Sequence, residues 1–533
     1  MVSKFLMTLA AAVFLQACAA SPDYDLIIRG GTVYSGTNEP GRTADVAIKG
    51  DRIVAIGELA GKSAARELSA ENLAVTPGFI DIHSHALRGN AKRSGIYRWP
   101  EAENLIRQGV TTVIGGPDGG SPLPLSADLD RLEAQPAGVN FGTFVGQGSV
   151  RRQVVGEERR AASADEIQRM REVVDQAMHD GAFGLSSGLI YAPGSFASTE
   201  EVVELAKITA HHGGIYISHM RDEAQGLLDS VEETIHIGEA AGLPAQITHF
   251  KAMGKPMWGK SGEAIALVDA AIDRGVDVSI DQYPYDASST SLRAVFPQWA
   301  LSGDRATRNA RLENPDSRAK VKRDMITKLR LERGGDDADR IRLAYCAFDP
   351  TLNGKTVKDV LLGRDQQASI SNAADLIMDM EAAGGCTAVY HAMNEIDVKR
   401  IMQHPATMIS SDGGIEVPGQ GMPHPRNYGA FARVLGRYVR ELELMPLHTA
   451  IQKMSLLPAQ RLGLADRGEL RVGAIADIAV FDPATIIDTA GFENPHQYAI
   501  GMQHVLVAGE IVLNDGQMTG KKVGRVLRHS LAR

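Results

Sequence analysis

The chain has 533 residues, enough for one large barrel with additions or for roughly two to four domains. Hydrophobic residues make up 44% and charged residues 23%, ordinary globular usage that excludes a disordered chain. With 56 Lys and Arg against 65 Asp and Glu the formal net charge is −9, which argues against a nucleic-acid partner, and three cysteines are too few for a disulfide framework.

The first predicted element is a targeting segment over residues 1–20. Lys4 gives a positive start, Phe5 to Leu15 is apolar, and Leu15-Gln16-Ala17-Cys18 resembles a bacterial lipobox in which the cysteine carries a lipid. Plain secretion with cleavage after a small residue is the simpler alternative. Either way the chain is expected to be exported, to the periplasm or to an outer-membrane-anchored position. The lipid is the one membrane contact expected, because no apolar run in the body reaches the roughly 18 residues of a spanning helix. Cys346 and Cys386 are expected to be buried small hydrophobes rather than reactive thiols, in a compartment that would allow them to pair.

From Asp25 the pattern has period 2. Leu26 to Tyr34 reads as a strand and turn, and Val46 to Ile56 as a hairpin around Lys49-Gly50-Asp51. The same texture returns with Ile478 to Asp482 and with the hairpin His504 to Leu513. The expectation is one small β domain built from both chain ends, residues 22–75 and 465–533.

Between them, over 76–464, short apolar strands alternate with amphipathic helices. Strands are predicted at Phe79–His85, Thr111–Gly115, Asn140–Gly146, Ala182–Leu189, Ile215–His219, Ala245–His249, Val276–Asp281 and Thr407–Asp412. Ser198 and Glu201 read as a capping box at one of the intervening helices. Eight such βα units predict an α/β fold with a closed (β/α)₈ barrel of the TIM type. The last gap is too long for one crossover, so an insertion at about 290–400, with the charged stretches Arg318 to Arg333 and Lys355 to Asp365, is read as a subdomain of the kind that often forms a lid.

The active face of such a barrel is formed by the C-terminal ends of its strands. His83 and His85 stand two apart at the first of these, so both rings share a face. Asp118 lies in the turn after the second strand, His219 ends the fifth, His249 the sixth and Asp412 the eighth. Each alone reads as a loop or turn residue; four histidines and two aspartates on one rim read as a metal centre. Imidazole with carboxylate and no thiolate suits Zn²⁺, one ion or two, with Mn²⁺ or Co²⁺ as alternatives.

Several stretches resemble the amidohydrolase superfamily, and within it the N-acyl-D-amino-acid deacylases. They are Thr76-Pro77-Gly78-Phe79-Ile80-Asp81-Ile82-His83-Ser84-His85, Gly184 to Gly194, Ser218-His219-Met220-Arg221-Asp222-Glu223, Thr248-His249-Phe250-Lys251, Asp281-Gln282-Tyr283-Pro284-Tyr285, Ser411-Asp412-Gly413 and His424-Pro425-Arg426-Asn427-Tyr428-Gly429. The resemblance covers nearly the whole chain after the targeting segment. The chain departs from it at Asp118, where the family carries a cysteine that ligates and bridges the metals. A carboxylate can bridge two ions through its two oxygens, so the site survives the exchange while the metal count and substrate range stay open.

The resemblance implies hydrolysis of the amide bond of N-acyl amino acids, of the D series, by a metal-bound hydroxide, with Asp412 as proton acceptor and donor. It assigns Lys251, Tyr283 and Arg426 to the free carboxylate of a small-molecule substrate or short peptide, and Tyr191 is a weaker candidate in the same pocket. Read without the family, Arg426 is a surface ion pair and Tyr283 a packed core ring. Arg151-Arg152 reads as a solvated pair, and His211, His212 and His391 as helix or loop residues outside the site. The alternatives are a broader amidase, dipeptidase or cyclic amidohydrolase, and a lipoprotein that keeps the barrel only for binding.

Overall fold

Strands from the two ends of the chain share one sheet. The computed structural model describes residues 22–87 and 95–530, and the lipobox lies outside the described residues. Ala74–Pro77 pairs in parallel with the first strand, Tyr24–Val33, and antiparallel with Ile478–Phe481, with Val75 opposite Val480. That junction joins the two halves into a nine-stranded sheet. Alternate apolar residues such as Ile28, Val46, Ile48, Val75, Ile478, Val480 and Leu506 fill its core, which is the origin of the period-2 pattern. Each such side chain stabilises the sheet by roughly 1.5–3 kcal/mol when fully buried.

The barrel strands are Phe79–Asp81, Val110–Gly115, Asn140–Thr143 continued by Val145–Gly146, Gly184–Gly188, Ile215–His219, Ala245–Ile247, Val278–Gln282 and Thr407–Ile409. Neighbours pair in parallel throughout. Just beyond the last and first strands the backbone closes the ring: Asp412 N donates to His83 O at 3.0 Å, and His85 N donates to Gly413 O at 2.7 Å. The expected (β/α)₈ barrel is present, and the seam of its closure falls on candidate metal ligands.

The long insertion builds an antiparallel sheet of Ser288–Ser291, Cys386–Tyr390 and Ile341–Cys346, backed by the helices Pro315–Glu332 and Ile370–Ala383. It has a core of its own, with Val321, Met325, Leu329, Leu343, Ile377 and Tyr390. Cys346 and Cys386 are register partners in this sheet and form a disulfide. They are buried as expected, but as a bonded pair rather than as separate small hydrophobes. Among the described residues no helix is long and apolar enough to cross a membrane.

Candidate metal centre

Three of the six predicted ligands adopt left-handed backbone: Asp118 (φ 56°), His249 (φ 35°) and Asp412 (φ 47°). Such conformations cost non-glycine residues on the order of 1–3 kcal/mol each and persist where surrounding contacts impose them. His249 N donates to Asp281 Oδ1 at 3.0 Å, and Asp412 N is fixed by the barrel closure. The turn carrying Asp118 is bedded against glycine. A Cβ on Gly188 would meet the Asp118 carbonyl oxygen at 2.2 Å, so only glycine lets that turn approach the fourth strand.

These constraints bring the six side chains together. Asp118 Oδ1 lies 3.3 Å from His83 Nε2, 3.5 Å from His219 Nδ1 and 3.3 Å from His249 Nε2, while Asp118 Oδ2 lies 3.3 Å from His85 Nε2. Asp412 Oδ1 faces His85 Nε2 at 3.0 Å and His83 Nε2 at 3.7 Å. Two ligand groups result: His83, His85, Asp118 and Asp412, and Asp118, His219 and His249. Asp118 belongs to both, the place of a bridging carboxylate.

The donor set fits a divalent ion. Among the described residues, both ring nitrogens of His83 and of His219 are buried without a hydrogen-bond partner, an expensive state for a polar group. Burial alone would raise the Asp118 carboxyl, but His83 and His219 hold it well below the usual carboxylate range. Burial and the Lys251 charge act to lower His249, yet Glu223 and Asp118 push it up to about 10. The carboxylates therefore call for positive charge, which a metal supplies while releasing those protons.

A second layer orients the ligands. Glu223 Oε1 accepts from Lys251 Nζ at 2.5 Å and faces His249 Nδ1 at 3.0 Å, and its Oε2 lies 3.6 Å from His219 Nε2. Asp281 accepts from His249 N, Ser410 Oγ and Gln246 Nε2. Neither acid was singled out from the sequence. Glu223 stands four residues after His219, within the Ser218 to Glu223 stretch. A carboxylate behind an imidazole fixes the ring and raises its basicity as a ligand.

The predicted substrate residues divide. Lys251 is tied to Glu223 and to His249 Nδ1, at 2.6 Å, beneath the centre. Arg426 donates from Nη1 to Asp412 Oδ2 at 2.7 Å and from Nη2 to Ser289 O at 3.4 Å, leaving its Nε without a partner among the described residues. Its guanidinium lies 4.8 Å from the centre of the Tyr283 ring, whose hydroxyl is buried and also unpartnered. Tyr191 packs edge-on against His219 and meets Thr290 Oγ1 at 3.1 Å. The centre opens on a cleft of about 670 Å³ lined by His85, Leu87, Tyr97, Asp118, Tyr191 and Thr290.

The tandem arginines are not a solvated pair. Arg151 is fully buried and bonded to Glu201, and Arg152 alone reaches the cleft wall. His391 packs against Phe492, away from the centre.

Comparison with known proteins places this geometry. The family model described as the amidohydrolase family matches residues 66–513. A D-aminoacylase from Alcaligenes xylosoxydans xylosoxydans is 38% identical over 96% of this chain and 99% of its own. A solved D-aminoacylase structure superposes with a TM-score of 0.80 at 38% identity, covering 95% of this chain and all of the other. An N-acyl-D-glutamate deacylase from Bordetella bronchiseptica superposes with the same TM-score at 34% identity, covering 95% and 99%. That structure holds zinc and a phosphonate inhibitor that mimics the tetrahedral intermediate of its reaction.

Proposed function

The chain belongs to the amidohydrolase family and is a hydrolase of linear amide bonds, and from that premise we propose that it cleaves N-acyl-D-amino acids to a carboxylic acid and a free D-amino acid, with Zn²⁺ as its metal. Its relatives are hydrolases, so the binding-only alternative falls away. A divalent ion held by His83, His85, His219, His249, Asp118 and Asp412 would supply Lewis acidity toward the amide carbonyl and acidify water.

The chain's own residues do the rest. Asp412 presents Oδ1 to the ligand cluster and Oδ2 to Arg426, so one oxygen can take a proton at the centre while the guanidinium fixes the other. The same residue then returns the proton to the departing amine. Tyr283 offers a buried O–H with no partner among the described residues, suited to an oxygen of the substrate. Arg426 Nε, equally unpartnered, suits the substrate carboxylate. Tyr191 and Thr290 wall the cleft where the rest of the substrate would lie.

The observation that carries this reading is the double role of Asp412, against the histidines on one side and Arg426 on the other, next to a cleft of small-molecule size walled by its neighbours His85 and Asp118. The test is a panel of N-acetyl-D-amino acids, N-acetyl-L-amino acids, their amides and hydantoins, assayed with the zinc-loaded protein. D-configured free acids are expected to be turned over at least tenfold faster than the rest. Preference for the L series, for amides or for cyclic substrates would replace this reading by the broader amidase or cyclic amidohydrolase.

For location, the apolar N-terminal stretch and Cys18 support export with a lipid anchor, and the Cys346–Cys386 disulfide suits an oxidising compartment.

A further inference from the structure

On the opposite side of the barrel from the catalytic centre, a second group of metal-capable side chains comes together. The helix Ala164–Asp180 ends just before the fourth barrel strand, and Thr199–His211 ends just before the fifth. Both C-termini therefore sit at the N-terminal face of the barrel. The catalytic ligands occupy the other face, a strand length of roughly 15 Å away.

Asp175 and His179 are four apart on the first helix and share a face. His212, the C-cap of the second, reaches across, its Nε2 2.7 Å from Asp175 Oδ1. The His179 and His212 rings meet edge to face at 4.8 Å. One ligand atom from each of the three residues lies within 4.8 Å of the others. His179 Nδ1 is tied to the Asp175 carbonyl at 2.9 Å, a backbone bond that fixes the tautomer and leaves the other ring nitrogen with its lone pair. Two more imidazoles crowd the same corner. His211 lies 5.4 Å from His212, ring to ring, and His529 Nε2 meets the His212 carbonyl at 3.0 Å. Of the 15 histidines in the chain, four gather at one place that the hydrolytic reaction does not use.

We propose that Asp175, His179 and His212 form a peripheral binding site for a divalent transition metal that clamps the two helices together. Two imidazoles and one carboxylate, with water completing the shell, suit Zn²⁺ and, more tightly, Cu²⁺, whereas Ca²⁺ and Mg²⁺ need an all-oxygen set. Asp175 and His179 are about half exposed, so both can turn toward an ion without moving backbone. His212 is buried and sets the position. An ion here stabilises the folded chain by mass action, because the three ligands converge only when the helices are packed.

The test compares zinc-loaded wild-type protein with His179→Ala and Asp175→Asn after equilibrium dialysis against micromolar Zn²⁺. Wild type is expected to carry one more ion per chain than either variant, with equal amide hydrolysis in all three. Its thermal midpoint is expected to rise with added Zn²⁺, and those of the variants to stay still. His179 is exposed, so its loss leaves the fold and the Asp175–His212 bond in place. Equal metal content in all three proteins would overturn the proposal. So would a missing ion accompanied by lost hydrolysis, since that ion would belong to the catalytic centre.

Discussion

Arg426 grips Asp412: Nη1 donates to Oδ2 at 2.7 Å inside the protein, with both side chains buried. The guanidinium that the sequence offers to a substrate carboxylate is therefore also the group that keeps the candidate base ionised. Burial alone would raise Asp412, but Arg426 first and then His85 hold it well below the usual carboxylate range. The two roles make separable kinetic signatures.

Arg426→Met is expected to move the acid limb of the kcat/KM profile to higher pH, by about one unit or more, because removing the cation raises Asp412. It is also expected to raise KM for free acids far more than for methyl esters. A raised KM with an unmoved acid limb would leave Arg426 only its substrate role.

Asp118 joins the two ligand groups, so Asp118→Ala is expected to lose one or both of two ions per chain, read by elemental analysis of the purified protein. Asp118→Cys is expected to recover metal, since a thiolate binds zinc tightly. A wild-type content of one ion that Asp118→Ala leaves unchanged would rule out the bridge.

Glu223 touches both His249 and Lys251 without reaching the cleft. Glu223→Gln keeps the shape and removes the charge. Metal affinity is expected to fall roughly 10–100-fold, with excess zinc restoring most of the turnover. Failure of zinc to rescue would point to a direct part in the chemistry.

Lys453 is buried, its partners among the described residues are the His404 and Thr407 carbonyls, and burial lowers it to about 8. The folded chain therefore gives up this proton more readily than the unfolded chain. Its contribution to stability rises with pH above about 8 toward the ordinary lysine value, and falls as pH drops back through 8. The stability of wild type relative to Lys453→Met, from urea unfolding, is expected to grow by roughly 2–3 kcal/mol across that interval. A flat difference would mean that the ammonium is satisfied by its carbonyls at every pH.

The barrel was legible because each strand–helix unit is local, and the ends of those strands carry residues with chemistry. His83, His85, Asp118, His219, His249 and Asp412 could be collected from sequence for that reason alone. What sequence order hid depends on distant pairing. Arg151 reads as one of a solvated pair, yet its partner Glu201 lies on the next helix but one and takes it wholly into the interior. Arg426 is bound to Asp412 through an irregular loop with no periodicity to read. Glu223 was visible as a letter but not as a contact, because only the turn after the fifth strand folds it back beneath His249. The cysteines, 40 residues apart, meet through an antiparallel register that no local pattern specifies.

That register reaches the cleft wall. Thr387 follows Cys386 directly and lines both the catalytic cleft and the neighbouring cavity that holds Arg426. The strand bearing it also pairs with Ser288–Ser291, which supplies Thr290 and Ser291 to the same wall. A host that keeps thiols reduced would thus deliver an enzyme whose metal ligands are intact but whose cleft wall is held by strand pairing without its covalent link. Preparations from oxidising and reducing hosts would then differ in selectivity before they differ in metal content.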